Sequence, residues 1–154
     1  MSSTNAKVAG VAAVGCVAAA LALPGAHAYT KPGEIRITDV QKSHTHVDQG
    51  AHGRSPGDID VYRSNLYNRR ITTKALGRAD MVCTTISGNA QHCDATYFLP
   101  RGEIVVSGVI QSRLIYILAV HGGTEYYNNA RGTLTVTSLR RTPTRELLVF
   151  RLVL

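Results

Sequence analysis

The stretch LIYILAVHGGTEYYNNARGTLTV, residues 114–136, decides the fold of this chain. Residues 114–120 are apolar and branched, and the run is too short for a membrane span or a typical buried helix, so it predicts a β-strand. Residues 133–139 alternate threonine with leucine and valine, the two-residue period of a half-buried strand. Gly122, Gly123 and Gly132 allow the chain to turn sharply between the two strands, because glycine readily adopts positive φ angles.

Similar patterns predict six more strands on either side of this stretch. They lie at residues 34–37 and 58–67, in a hairpin over 78–99 that turns at Gly88, and at 103–111 and 146–154. Residues 43–57 are predicted to be a polar loop, and 71–76 fit either a loop or a short helical turn. Eight short strands with regular turn signals predict an all-β antiparallel barrel or sandwich. The interior of an eight-stranded barrel is filled by side chains or holds one small ligand.

The first 28 residues differ from the rest. Lys7 precedes an apolar run over residues 8–23, Pro24 breaks that run, and Ala26-His27-Ala28 fits a cleavage site. This pattern predicts a secretory signal peptide at 1–28 and hence a secreted, extracellular protein. The alternative is an uncleaved membrane anchor, for which the run is short. Residues 29–56 then hold the first strand and the polar loop, and 57–154 the main part of the barrel.

The chain is basic, with a formal net charge of +7, and cleavage after Ala28 would remove one of these charges. A basic surface can attract nucleic acid, anionic polymers or acidic membranes, or serve solubility alone. No nucleic-acid-binding motif is present, so we expect no nucleic-acid partner and no stable membrane insertion.

Cys83 and Cys93 are the two cysteines left after cleavage. They fall opposite each other when the 78–99 hairpin is centred on Gly88, and opposed Cβ atoms lie close to disulfide distance. Because an exported chain meets an oxidising compartment, we expect a Cys83–Cys93 disulfide.

Residues 119–132 read A-V-x-G-G-T-x-x-Y-x-x-A-R-G, a pattern that resembles a conserved block of the allene oxide cyclase and dirigent superfamily. Residues 57–67, 81–86 and 93–108 are similar to further segments of that superfamily, and the cysteine pair resembles its bacterial secreted branch. The resemblance implies a small eight-stranded barrel, usually trimeric, with a mostly apolar pocket. Members cyclise an unsaturated lipid epoxide or direct the coupling of phenoxy radicals.

The functional residues of the superfamily are matched less well. The resemblance assigns Asn65 to the cyclase asparagine, with a shift of one residue, and Glu34 to the cyclase glutamate. The cyclase cysteine corresponds to Cys83, whose thiol a disulfide would remove. The paired aspartates of dirigent proteins fall on Arg63-Ser64. We therefore take Asn65 and Glu34 as the candidate catalytic residues.

Other side chains allow more than one interpretation. Tyr62, Tyr67, Tyr97 and Tyr116 would bind a ligand if they line a pocket, or they belong to the core or to a subunit interface. His44, His46 and His52 share one loop and could bind a metal ion, or they form a solvated polar loop. His121 could be a general base at a barrel mouth or an exposed residue at a strand end.

Two functions follow from these observations. One is a secreted barrel that binds an apolar or phenolic small molecule and acts as a cofactor-independent cyclase or isomerase, with polar contacts from Asn65 and the tyrosines. The other is a secreted dirigent-like barrel that binds a partner or a surface without catalysis. For both we expect a homo-oligomer, preferably a trimer, because residues 104–110 are apolar on both faces of the predicted strand. We expect no metal or nucleotide cofactor.

Overall fold

Eight antiparallel strands follow one another and close into a barrel in the computed structural model, which describes residues 33–72 and 74–153. The strands are β1 (Gly33–Val47), β2 (Ile59–Asn68), β3 (Gly77–Ser87), β4 (Ala90–Leu99), β5 (Gly102–Ile110), β6 (Ile115–Gly123), β7 (Arg131–Arg141) and β8 (Thr144–Val153). Each strand pairs with its neighbours in sequence, and β1 pairs with β8 to complete the barrel. The predicted eight-stranded barrel is therefore confirmed.

The predicted signal peptide, residues 1–28, lies outside the described residues. In the part of the chain that is described, no helix is long and apolar enough to cross a membrane.

Alternation of side chains along each strand builds the core. In β6, Tyr116 and Leu118 point inward and are buried, whereas Ile115 and Ile117, which alternate with them, point outward and are about 60% exposed. The same alternation makes Leu134 and the other inward residues of β7 part of one interior. A single hydrophobic core thus lies inside the barrel.

One end of the barrel, the closed end, is filled by apolar side chains. Leu66, Ile104 and Phe150 are fully buried there. A short 3-10 helix, Glu125–Tyr127, lies between β6 and β7 and contributes the buried Tyr127 ring. The other end, the mouth, is formed by residues 111–114 between β5 and β6 and by the turn at 142–143 between β7 and β8.

Gly132 explains one fixed position of the 119–132 block. Its φ is +142°, and a Cβ added there would overlap the backbone carbonyl of Arg151 on the neighbouring strand β8. Only glycine satisfies both conditions, so Gly132 allows β7 and β8 to pair closely next to the closed end.

Strand β1 is longer than predicted. The sequence predicts a strand over 34–37 and a polar loop over 43–57, but β1 continues to Val47 because its second half pairs with β2. The register shifts between Gln41 and Ser43, so Lys42 is the extra residue of a β-bulge. Beyond the bulge, His44 lies opposite Tyr62 and therefore on the inner face. The second half of β1 was not predicted as a strand because its residues are mostly polar.

The β3–β4 hairpin agrees with the prediction. Gly88 lies in its turn with a φ of +50°, and Cys83 pairs directly with Cys93. The two cysteines form a disulfide that is fully buried in the barrel interior, which confirms the predicted bond. The bond fixes the register of the hairpin.

Apolar side chains also cover part of the outer surface. The largest exposed groups on neighbouring strands β5 and β6 are Val105, Val109, Ile115 and Ile117. Exposed apolar patches of this kind mark interfaces in many proteins. The predicted homo-oligomer nevertheless stays a prediction.

Candidate functional site

A cavity of about 480 Å³ occupies the half of the barrel next to the mouth. Aromatic, acidic and basic side chains line it together with small and apolar ones: Asp39, Gln41, Tyr62, Ser64, Ala79, Met81, Tyr97, Arg113, Leu114, Tyr116, Ser138, Arg141, Thr144 and Glu146. Tyr97 forms the floor, where its ring packs edge-on against Phe150 at a centroid distance of 5.1 Å. A cavity of this volume can hold a small organic molecule.

Two carboxyl groups lie on neighbouring strands where the barrel closes. Asp39 on β1 and Glu146 on β8 are register partners, and both side chains line the cavity. Burial raises the pKa of Asp39 to about 7; the Ser64 hydroxyl offsets part of this effect, and the Glu146 carboxyl adds to it. At neutral pH the pair can therefore hold one proton between its two members, a state suited to proton transfer.

Glu146 is held in a more polar environment than Asp39. Burial raises the pKa of Glu146, but the Tyr116 hydroxyl and the positive charge of Arg113 oppose this rise. Tyr116 donates a hydrogen bond of 3.1 Å to Oε2 of Glu146. The bond stabilises the ionised form of Glu146, so Asp39 is the member of the pair that holds the proton more readily.

Two tyrosine hydroxyl groups remain protonated beside these acids. Burial, reinforced by Glu146, raises the pKa of Tyr116, and burial with the nearby Asp39 and Glu146 raises that of Tyr97 well above its ordinary value. Both tyrosines are therefore hydrogen-bond donors at physiological pH. Among the described residues, the Tyr97 hydroxyl has no hydrogen-bond partner, so it can donate to a ligand.

Arg113 stands at the rim of the cavity in a fixed position. Its Nη2 atom donates to the Tyr62 hydroxyl and to Oε1 of Gln91, each at 2.6 Å. Gln91 is buried, and its Nε2 atom in turn donates to Oδ2 of Asp60 at 2.6 Å. A continuous chain of hydrogen bonds thus connects the rim to Asp60 on β2.

Two histidines on the second half of β1 also form hydrogen bonds with Asp60. Nε2 of His44 lies 2.6 Å and Nδ1 of His46 lies 3.0 Å from its Oδ1 atom. Burial alone would raise the pKa of Asp60, but the hydrogen bonds from His44, Gln91 and His46 outweigh it, and the pKa is lowered. Asp60 is therefore an ionised anchor for the chain that ends at Arg113.

Three of the four predicted ligand-binding tyrosines, Tyr62, Tyr97 and Tyr116, line the cavity. Tyr67 does not line it, because Leu66 next to it points inward and the pleat turns Tyr67 outward. That the three tyrosines bind a ligand stays a prediction.

The structure corrects the positions predicted for the two candidate catalytic residues. Asn65 lies on the outer face of β2, where its Nδ2 atom is 3.5 Å from the Tyr67 hydroxyl. Glu34 lies on the outer face of β1 and forms ion pairs with Arg36 and Arg151. Both side chains follow the outward positions of the pleat, so neither reaches the cavity.

His121 and His52 also lie away from the cavity. His121 lies exposed on the outer face of β6, with its Nε2 atom 2.5 Å from the Ser107 hydroxyl, which agrees with the interpretation as an exposed residue near the end of a strand. His52 is fully exposed and lies 3.7 Å from Asp48. Within residues 33–72 and 74–153, no three histidine, cysteine or acidic side chains are arranged to hold a metal ion.

Solved structures with the same arrangement of strands include enzymes and dirigent proteins. A pyocyanin demethylase superposes with a TM-score of 0.69 at 23% identity, over 79% of this chain and 100% of the other. A pterocarpan synthase dirigent protein gives 0.61 at 16% identity, over 79% and 83% of the two chains. A Diels–Alderase from Streptomyces koyangensis gives 0.59 at 11% identity, over 79% and 69%. This chain has the allene oxide cyclase/dirigent-like fold.

At these identities the similarity concerns the dirigent-like fold, and the site has to be argued from this chain. No protein-family model matches the sequence, and no curated protein matches it either.

The charged residues inside this dirigent-like barrel were not predicted from the sequence. The resemblance implies a mostly apolar pocket, whereas Asp39 and Glu146 on the first and last strands place two acids in the cavity wall. The sequence contains a signal for Glu146: it is separated by two and four residues from Leu148 and Phe150, which are buried on the inner face of β8. Arg113 gave no such signal, because it lies in the connection between β5 and β6.

Proposed function

We propose that this protein binds a small organic molecule in the barrel cavity and catalyses its isomerisation or ring closure by proton transfer. The observation that carries this proposal is the pair of neighbouring acids, Asp39 and Glu146, in the wall of a cavity of about 480 Å³. Carboxyl groups whose environments separate their pKa values serve enzymes as an acid and a base. The apolar part of the ligand would contact Ala79, Met81 and the tyrosine rings.

The two carboxyl groups take different roles in this mechanism. Asp39, whose pKa is raised to about 7, gives its proton to an oxygen or nitrogen of the ligand as general acid. Glu146, whose ionised form is stabilised by the hydrogen bond from Tyr116, takes a proton from a ligand carbon as general base. One proton enters and one leaves, so the ligand is isomerised without a change of oxidation state.

Tyr97 assists at the floor of the cavity. Its protonated hydroxyl can donate to a ligand oxygen on which negative charge develops. The closely lined cavity holds the ligand near its reactive conformation, which lowers the entropic part of the barrier.

A matched pair of variants tests whether the cavity binds small molecules at all. A library of phenolic and polycyclic compounds would be screened by thermal shift against the wild type, Met81→Trp on the inner face and Thr96→Trp on β4 away from the cavity. We expect compounds that stabilise the wild type and Thr96→Trp but not Met81→Trp, whose larger ring fills the cavity. Equal stabilisation of all three proteins would contradict binding inside the barrel.

Proton transfer is tested on the compounds that bind. In D₂O, mass spectrometry would follow deuterium incorporation at carbon, with the variants Asp39→Asn, Glu146→Gln and, as a control on the outer surface, Asp94→Asn. Loss of one member of the pair should slow incorporation by roughly 10²–10⁴-fold, while Asp94→Asn should leave it unchanged.

A second function remains supported by one observation. The cyclase residues do not carry over, because Asn65 points outward and Cys83 is bonded to Cys93. This favours a barrel that binds its ligand without turning it over. Binding without any deuterium incorporation would decide for this alternative.

A further inference from the structure

We propose that the ligand carries a carboxylate, which Arg113 and Arg141 hold at the mouth of the cavity while the uncharged part of the ligand extends to the floor. This inference rests on the proposed function and specifies its substrate class.

The guanidinium of Arg113 is held in a position where it can bind a ligand. Tyr62 and Gln91 each accept a hydrogen bond of 2.6 Å from its Nη2 atom, and the Arg113 Cζ atom lies 4.9 Å from the centroid of the Tyr62 ring. The Nε and Nη1 atoms donate to no group among the residues that the structure describes. Because a guanidinium has five N–H groups in a rigid plane, three donors remain for a planar oxyanion.

The position of Arg113 is fixed by Gln91, a neutral residue, and not by a carboxylate bonded directly to Arg113. Gln91 is buried, and Asp60 accepts a hydrogen bond from its Nε2 atom. Asp60 therefore stabilises the orientation of Arg113 through Gln91 without neutralising it by direct contact. The side chain is pre-organised, which reduces the entropy lost when a ligand binds.

Arg141 adds a second cation to the same rim. It lies at the end of β7, and its side chain lines the cavity together with that of Arg113. In residues 33–72 and 74–153, neither arginine has a carboxylate within ion-pair distance. Two guanidinium groups without an acidic partner favour an anion between them.

The acids of the cavity do not cancel this preference. Asp39 and Glu146 are the acidic residues of the lining, and burial raises the pKa of both. Below about pH 7 the Asp39 carboxyl is mostly neutral, so the cavity wall carries more positive than negative charge. A cationic ligand would have to pass two arginines to reach Glu146, whereas a carboxylate meets them first.

Two probes of equal shape separate charge recognition from cavity binding. 2-Naphthoate and 2-naphthamide share one ring system and differ in a carboxylate against a neutral amide. Isothermal titration calorimetry would compare them on the wild-type protein at pH 6 and low ionic strength. We expect naphthoate to bind roughly 10–100-fold more tightly than naphthamide, as charge-assisted hydrogen bonds imply.

Variants of the two arginines test whether the rim causes the preference for naphthoate. Arg113→Gln and Arg141→Gln should each reduce the preference for naphthoate roughly tenfold or more, and Arg113→Lys should keep part of it. Arg140→Gln is the matched control: it removes the same charge one residue away, outside the cavity lining. It should leave the preference unchanged.

The outcomes distinguish the two proposals. Equal affinity for both probes would overturn the carboxylate proposal and leave cavity binding intact. An equal loss in Arg140→Gln and Arg141→Gln would also overturn it, because general electrostatic attraction would then explain the preference. If neither probe binds, the carboxylate proposal fails, and the library screen decides separately whether the cavity binds any compound.

Discussion

Asp39 is the residue on which the stability of the barrel should depend most at neutral pH. Its pKa is 3.8 in its ordinary state and about 7 in the folded protein, so the folded state retains a proton that the unfolded chain has already lost. The stability that this retained proton contributes is therefore fully present below about pH 4 and is lost as the pH rises towards and through about 7. Asp58 and Asp60, whose pKa values are lowered, act in the opposite direction at more acidic pH.

We predict that Asp39→Asn removes most of this decline. A shift of this size corresponds to at most roughly 4 kcal/mol between pH 4 and pH 8. Urea unfolding at several pH values would measure it, with the exposed Asp94→Asn as control. A stability curve of Asp39→Asn parallel to that of the wild type would show that Asp39 is not the cause.

The β3–β4 hairpin is the element whose covalent bond can be removed without changing the charge of the protein. Its disulfide links residues separated by 10 positions. We predict that the double variant Cys83→Ser, Cys93→Ser is less stable by about 2–3 kcal/mol, because the bond restricts the unfolded chain. Denaturant unfolding with and without a reductant would measure this difference. The reductant should destabilise the wild type and have no effect on the double variant.

The strands themselves show how far the sequence predicts this molecule. β6 and β7 follow from apolar runs and strict alternation, which report directly on the inner and outer faces of a sheet. The second half of β1 does not follow from such a pattern. Its inward residue His44 is polar and forms a hydrogen bond with Asp60, which lies 16 positions away in the sequence. The acid pair was missed for a related reason: it forms between strands at opposite ends of the sequence. Pairing across the closure of a barrel leaves no local pattern.

For the molecule as a whole, the outer surface of β5 and β6 carries a patch of exposed apolar side chains. Val105, Val109, Ile115 and Ile117 are between 39% and 61% exposed there. We predict a homo-oligomer, preferably a trimer, in which a second copy of the chain covers these side chains.

Sedimentation velocity at micromolar concentration would measure its mass. Ile117→Glu should shift the protein to monomers, because the new charge would be buried in the interface. Thr45→Glu, at an exposed position of β1 on the other side of the barrel from β5, serves as the control. A wild-type mass equal to one chain would contradict the oligomer.

The pairing of β1 with β8 also determines when the acid pair can form during folding. Asp39 and Glu146 come together only after β1 has paired with β8. The acid pair therefore forms only when the barrel closes, so a partly folded chain cannot assemble it. If the pair acts as proposed, the protein is inactive until the barrel has closed, and proteolytic loss of β8 would abolish its activity.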